Sequence, residues 1–140
     1  MTLKNSKNNA CGRNRSASSF RVLAVDDEEV MGYLIQRIVD YLGYQVDWVR
    51  DCKTALNKIE HCRYDVIVSD FKLPGMTGEL FYEQLLHQNA SLARRMIFVT
   101  GDTVNRQTIA FFKRMKLPYF AKPFNIDALK DAIQKIATSE

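Results

Sequence analysis

The stretch Tyr64-Asp65-Val66-Ile67-Val68-Ser69-Asp70-Phe71-Lys72-Leu73-Pro74-Gly75-Met76-Thr77-Gly78 decides how the chain folds. Asp65 to Ser69 is a short run dominated by β-branched residues, as expected of a parallel strand buried on both faces. The run ends on a lone carboxylate, Asp70. A loop with one proline and two glycines follows, and a helical pattern then begins. Open α/β sheets bind ligands at the C-terminal tips of their strands. Asp70 stands at such a tip, and a carboxylate there can act as the nucleophile that accepts a phosphoryl group.

Working outward, Arg21 to Val25 reads as a first buried strand that runs into Asp26-Asp27-Glu28-Glu29. Val30, Leu34, Ile38 and Leu42 recur at helical spacing, and Gly43 is a plausible stop. Tyr44 to Val49 is a second strand. Asp51 suits the N-cap of a helix over Cys52–Glu60 with Ala55, Leu56 and Ile59 inward. After the Pro-Gly loop, Glu79–Gln88 reads as a helix with Leu80, Phe81, Leu85 and Leu86 inward. Arg95 to Thr100 is a fourth strand, Val104–Met115 a fourth helix, and Pro118 to Ala121 a short fifth strand ending at Lys122-Pro123-Phe124. Asn125 or Asp127 opens a last helix with Ile126, Leu129, Ile133 and Ile136 in one stripe. Strands alternating with helices specify an α/β domain with a parallel sheet covered on both faces. For five strands the common doubly wound order is 2-1-3-4-5, a flavodoxin-like three-layer sandwich.

In that order the first, third, fourth and fifth strands are neighbours, so Asp26, Asp27, Asp70, Thr100 and Lys122 converge on one edge. The second strand contributes nothing comparable. Clustered carboxylates raise one another's pKa unless positive charge joins them. Mg²⁺, a hard cation that uses one or two carboxylates, is one remedy, and the Lys122 ammonium is another. Carboxylates, a cation, a lysine and a hydroxyl together suit a phosphoryl group. Singly, each residue has a blander reading: Asp70 can cap its loop, Thr100 can be structural, Lys122 can sit in an exposed turn. Glu28 and Glu29 can serve only the helix that follows.

The 140 residues fit one domain, with 46% hydrophobic and 26% charged residues, ordinary for a globular protein. No apolar run approaches the roughly 20 residues of a membrane span, and the polar N-terminus does not read as a signal peptide; both point to the cytoplasm. The net charge is +4, but Lys4, Lys7, Arg13 and Arg15 lie in residues 1–19, which hold no acid. Taking those four from the 20 basic residues leaves 16, equal to the 16 acids. Residues 1–19 therefore read as a disordered basic arm or linker, and residues 20–140 as an electrically balanced domain with no nucleic-acid face. Cys11, Cys52 and Cys62 form an odd set without CxxC spacing, which argues against a disulfide framework or a zinc site. Cys52 and Cys62 are expected to pack as small semi-buried side chains, Cys11 to be an exposed thiol. His61 and His87 are expected at helix ends on the surface.

From Phe20 to Ala137 the chain resembles the receiver domain of two-component response regulators. The resemblance rests on Val-Leu-Ala-Val-Asp26-Asp27-Glu28, Ser69-Asp70 followed by Leu73-Pro74-Gly75-Met76-Thr77-Gly78, Val99-Thr100-Gly101 and Lys122-Pro123-Phe124. It implies a signalling switch in which Asp70 accepts a phosphoryl group from a phosphohistidine on a kinase or phosphotransfer domain. Asp27, Asp70 and the backbone carbonyl of Lys72 would ligate Mg²⁺ (or Mn²⁺), with Asp26 acting mainly through water. Lys122 and Thr100 would bind phosphoryl oxygens, Tyr119 would turn inward as Thr100 moves, and the Lys122–Pro123 bond would be cis. Lys72 and Asp102 would flank the entry and tune phosphoryl lifetime, with Gly101 leaving room beside Thr100. The domain would be a monomer or a phosphorylation-dependent dimer, with autodephosphorylation but no free-standing enzyme activity. Similarity around residues 100–124 to receivers of hybrid histidine kinases makes a phosphorelay intermediate the alternative.

Other classes fit less well. An aspartate-nucleophile phosphohydrolase would want a second acid where Lys72 stands. A flavin carrier would want a phosphate-binding loop where the chain has Asp26-Asp27-Glu28-Glu29. An unphosphorylated scaffold would not need the full set of acids, Thr100 and Lys122. No helix-turn-helix pattern is present, so output is expected through protein contact or onward transfer.

Overall fold

A computed structural model of the protein describes residues 20–101 and 105–139. Five parallel strands form one sheet: β1 (Arg21–Val25), β2 (Gln45–Val49), β3 (Val66–Asp70), β6 (Met96–Thr100) and β7 (Tyr119–Ala121). Their order is β2-β1-β3-β6-β7, the expected 2-1-3-4-5 once the small ribbon is set aside. That ribbon pairs β4 (Lys72–Leu73) antiparallel with β5 (Met76–Thr77), directly after Asp70. The helices are α1 (Glu29–Tyr41), α2 (Cys52–His61), α3 (Gly78–Gln88), α4 (Ala90–Ala93), α5 (Arg106–Met115) and α6 (Ile126–Thr138). The α4 turn, capped by Asn89, was not foreseen. The expected arm over residues 1–19 and the tuning residue Asp102 lie outside the described residues.

Period-two alternation splits the core into two layers. Val22 and Ala24 of β1, Val66 and Val68 of β3, and Ile97 and Val99 of β6 face α1 and α6. Leu23, Val25, Ile67, Met96 and Phe98 face the opposite layer, built on α2, α3 and α5. Phe71 anchors that second layer, with its ring 5.3 Å from Phe98, 5.6 Å from Phe111 and 5.1 Å from Phe112. A Cβ on Gly78 would come within 2.3 Å of the Phe71 ring, so the start of α3 can approach the Asp70 loop only as glycine.

Several helix faces differ from the sequence expectation. Val30 is 78% exposed, and α1 instead buries Gly32, Ile35, Ile38 and Val39. The helix is rotated because Trp48 of β2 packs onto Gly32, where a Cβ would lie 2.1 Å from the ring. A mid-helix glycine costs about 0.5–1 kcal/mol relative to alanine, and here it makes room for an indole. Leu80, Leu86 and Ile126 also point outward, while Phe81, Tyr82 and Leu85 fill the core side of α3.

Cys52 is a free, buried thiol, pushed up to about 12 by burial and by Asp51. Cys62 is half-buried and packed against the second layer, as expected, but it is disulfide-bonded; spacing within a sequence does not show which sulfurs meet in space. His61 ends α2 and His87 lies in the last turn of α3, both exposed as expected. Among the described residues no helix is long and apolar enough to cross a membrane.

Candidate functional site

The tips of β1, β3, β6 and β7 deliver polar side chains to the same edge. β1 runs into Asp26, which is fully buried, and then Asp27, which is exposed. β3 ends on Asp70, with its side chain 10% exposed. β6 ends on the buried Thr100, and its carbonyl accepts a hydrogen bond from the Lys122 amide at 2.9 Å. That bond seats Lys122 beside β6, just before a cis Lys122–Pro123 peptide, as the resemblance implied.

The Lys122 ammonium is the hub of this edge. Nζ donates to Asp70 Oδ2 at 3.0 Å, to Asp26 Oδ2 at 3.3 Å and to Glu28 Oε1 at 3.0 Å. Burial works against the charged form of Lys122, yet the bonds to Asp70 and Glu28 outweigh it and raise its pKa, so it stays an ammonium. Burial lifts the Asp26 carboxyl above its ordinary value, only partly opposed by the Glu28 amide and Lys122. The Glu28 amide donates to Asp26 Oδ1 at 2.9 Å, and the Lys72 amide to Asp70 Oδ1 at 3.1 Å. Backbone donors and one cation thus hold the two buried acids.

Asp26, Asp27 and Asp70 bring one carboxylate oxygen each to within 4.8 Å of one another. All three are hard oxygen donors, and negative charge exceeds the single Lys122 charge, so the set fits a divalent cation such as Mg²⁺. The Lys72 side chain is exposed while its amide ties the loop to Asp70. Among the described residues, a Cβ on Gly101 would meet nothing within 4 Å. Tyr119 is half-buried and stacked on Phe112, with centroids 4.5 Å apart and planes at 17°. Parallel pairing of Phe98 with Tyr119 and of Thr100 with Ala121 puts Tyr119 and Thr100 on one face of the sheet.

Two contributions escaped the sequence reading. Glu28 is the N-cap of α1 but makes no cap bond; its side chain goes to Lys122 instead. β2 does reach the edge: Trp48 Nε1 donates to the Asp26 carbonyl at 2.9 Å, and Arg50 Nη1 to that of Asp27 at 3.4 Å. The acid run after β1 was the signal for Glu28; an aromatic and an arginine closing β2 were the signal for the rest.

The fold and this edge define a signalling domain of the receiver class. The family model described as the response regulator receiver domain matches residues 22–134, and the chain belongs to that family. The transcriptional regulatory protein TcrA of Mycobacterium tuberculosis is 34% identical over 120 residues, covering 86% of this chain and 46% of that protein. The sensor protein EvgS of Escherichia coli is 32% identical over 119 residues, covering 82% of this chain and 9% of that protein. The chain therefore spans less than half of either relative. Among solved structures, a signal receiver domain of an HD domain-containing protein from Pseudomonas fluorescens superposes with a TM-score of 0.76 at 26% identity, covering 84% of this chain and 94% of that one. The chemotaxis response regulator CheY4 of Vibrio cholerae gives 0.72 at 28% identity, covering 84% and 98%.

Proposed function

We propose that this receiver domain is a phosphorylation-dependent switch whose acceptor is Asp70. The observation that carries the reading is the convergence of Asp26, Asp27, Asp70 and Lys122 on one sheet edge. The donor is a phosphohistidine on a kinase or phosphotransfer domain. An Asp70 carboxylate oxygen attacks phosphorus, the P–N bond breaks with its electron pair passing to the imidazole, and an acyl phosphate remains. Hydrolysis reverses the state: water attacks phosphorus, the P–O bond breaks, and the carboxylate returns. Asp26, Asp27, Asp70 and the Lys72 carbonyl would hold Mg²⁺ or Mn²⁺. Bound there, the cation supplies charge neutralisation at the phosphoryl oxygens.

Lys122 pairs with Asp70 at rest and turns to a phosphoryl oxygen in the product. Thr100 donates its hydroxyl to another, and Tyr119 follows it, which changes the surface around α5 and β7 that partners read. Lys72, Gly101 and Asp102 set how readily water enters. Val30 and Ile126, exposed in the first turns of α1 and α6, offer apolar side chains to a donor protein. The similarity to the sensor protein EvgS favours the second reading, an intermediate receiver in a phosphorelay. Residues 1–19 would then be a linker.

Incubation with a small phosphodonor, with and without Mg²⁺, tests the reading by intact mass. One added phosphoryl group on wild type, absent from Asp70→Ala and absent without the cation, is expected. An unmodified wild type in the presence of Mg²⁺ refutes it.

A further inference from the structure

The end of β2 is bonded to the backbone of the acid pair by three consecutive residues. Trp48 Nε1 donates to the Asp26 carbonyl, the Asp26 amide donates to the Val49 carbonyl at 3.1 Å, and Arg50 Nη1 donates to the Asp27 carbonyl. The middle bond continues the β1–β2 ladder; the outer two come from side chains. Trp48 is itself fixed from two directions. Its ring lies against Gly32 of α1, and the Arg50 guanidinium sits over it, 4.6 Å from the ring centroid. Arg50 also reaches Glu29 at 3.8 Å, so the network closes back on the first turn of α1.

We propose that Trp48 and Arg50 are positioning residues that brace the Asp26–Asp27 backbone in the conformation that receives the divalent cation. The inference rests on the cation reading of the site given above. Asp26 and Asp27 lie on a loop between β1 and α1, and two like charges at adjacent residues push that loop apart. The buried Asp26 in addition favours any conformation that returns it to water. Donors aimed at both carbonyls oppose that opening, and the Arg50 charge lies beside the pair without entering the ligand set. The sites the ligands occupy before a cation arrives are thereby fixed by groups that never touch it. Gly32 belongs to the same device, because any side chain there would expel the indole.

The test uses the full chain, with Mg²⁺ as the probe, in wild type, Trp48→Phe and Arg50→Gln. Trp48→Phe keeps a ring facing Gly32 and removes the N–H donor; Arg50 is exposed, so its replacement leaves the fold intact. Calorimetric titration gives the Mg²⁺ affinity, and amide hydrogen exchange at Asp26 and Glu28 without cation reports the loop. Each variant is expected to weaken Mg²⁺ binding about tenfold and to speed exchange at both amides, with the thermal midpoint of Arg50→Gln unchanged. Wild-type Mg²⁺ affinity in both variants overturns the brace. A wild type that binds no Mg²⁺ removes the cation reading instead. Exchange then decides alone: wild-type rates in both variants overturn the brace, and faster rates support it.

Discussion

Glu28 holds the Lys122 ammonium at 3.0 Å, the same distance at which Lys122 meets Asp70. An incoming phosphoryl group must therefore share Lys122 with a carboxylate that is not part of the reacting set. Glu28 is 63% exposed, so its hold is that of a solvent-screened pair. Glu28→Gln is expected to speed labelling by a small phosphodonor about two- to fivefold, the factor matching an exposed pair of roughly 0.5–1 kcal/mol. Stopped-time intact mass reads the rate, and a slower or equal rate contradicts the competition.

Lys122→Met removes the cation shared by Asp26 and Asp70. Phosphoryl acceptance is expected to fall about a hundredfold, as when one preorganised donor to a transition state is lost. The fold is expected to lose about 1–3 kcal/mol, since the buried carboxyls of Asp26 and Asp70 lose a hydrogen-bonding partner. Urea denaturation with and without Mg²⁺ checks this: the cation restores stability by screening the acids, while the labelling defect persists.

The raised pKa of Asp26 gives a pH dependence with a definite sign. Its folded state holds a proton more tightly than its unfolded state, so its contribution is fully present below the ordinary carboxylate value and is lost as pH rises through the raised one. A cation that binds the ionised form reverses this loss. The rise in thermal midpoint produced by saturating Mg²⁺ should therefore be largest near neutrality and shrink as pH falls toward the carboxylate range. A shift independent of pH, measured by thermal melts, contradicts the account.

Two glycines beside the site should differ in their response to an added methyl group. Gly78→Ala drives a Cβ to 2.3 Å from the Phe71 ring, and overpacking of that kind destabilises by about 1–3 kcal/mol. A Cβ on Gly101 meets nothing among the described residues, so Gly101→Ala should change stability by less than about 0.5 kcal/mol. Urea denaturation of the two variants measures both.

The sequence made the sheet legible because β1, β3 and β6 are largely β-branched or apolar runs buried on both faces, each ending on a polar residue or running directly into one. Strand-tip placement then brought Asp26, Asp27, Asp70, Thr100 and Lys122 to one edge, where the structure has them. Helix faces were read less well. Val30, Leu34, Ile38 and Leu42 fit a helical stripe, but Trp48 pressing on Gly32 rotates α1 and leaves Val30 outside. Nothing local in α1 encodes that contact. Glu28 was read as serving only its own helix, because its partner Lys122 is 94 residues away in sequence. Trp48 and Arg50 were missed for the same reason: β2 lies at the sheet margin, yet its side chains reach across β1 to the acid loop.

The central claim is that Asp70 carries the phosphoryl group. Borohydride reduction of the protein labelled in Mg²⁺ converts an acyl phosphate to the corresponding alcohol, and peptide mass spectrometry locates it. The account predicts reduction at position 70 alone, turning that aspartate into homoserine. Label found at Asp26, at Asp27 or on a hydroxyl or histidine side chain, with Asp70 unreduced, would contradict it.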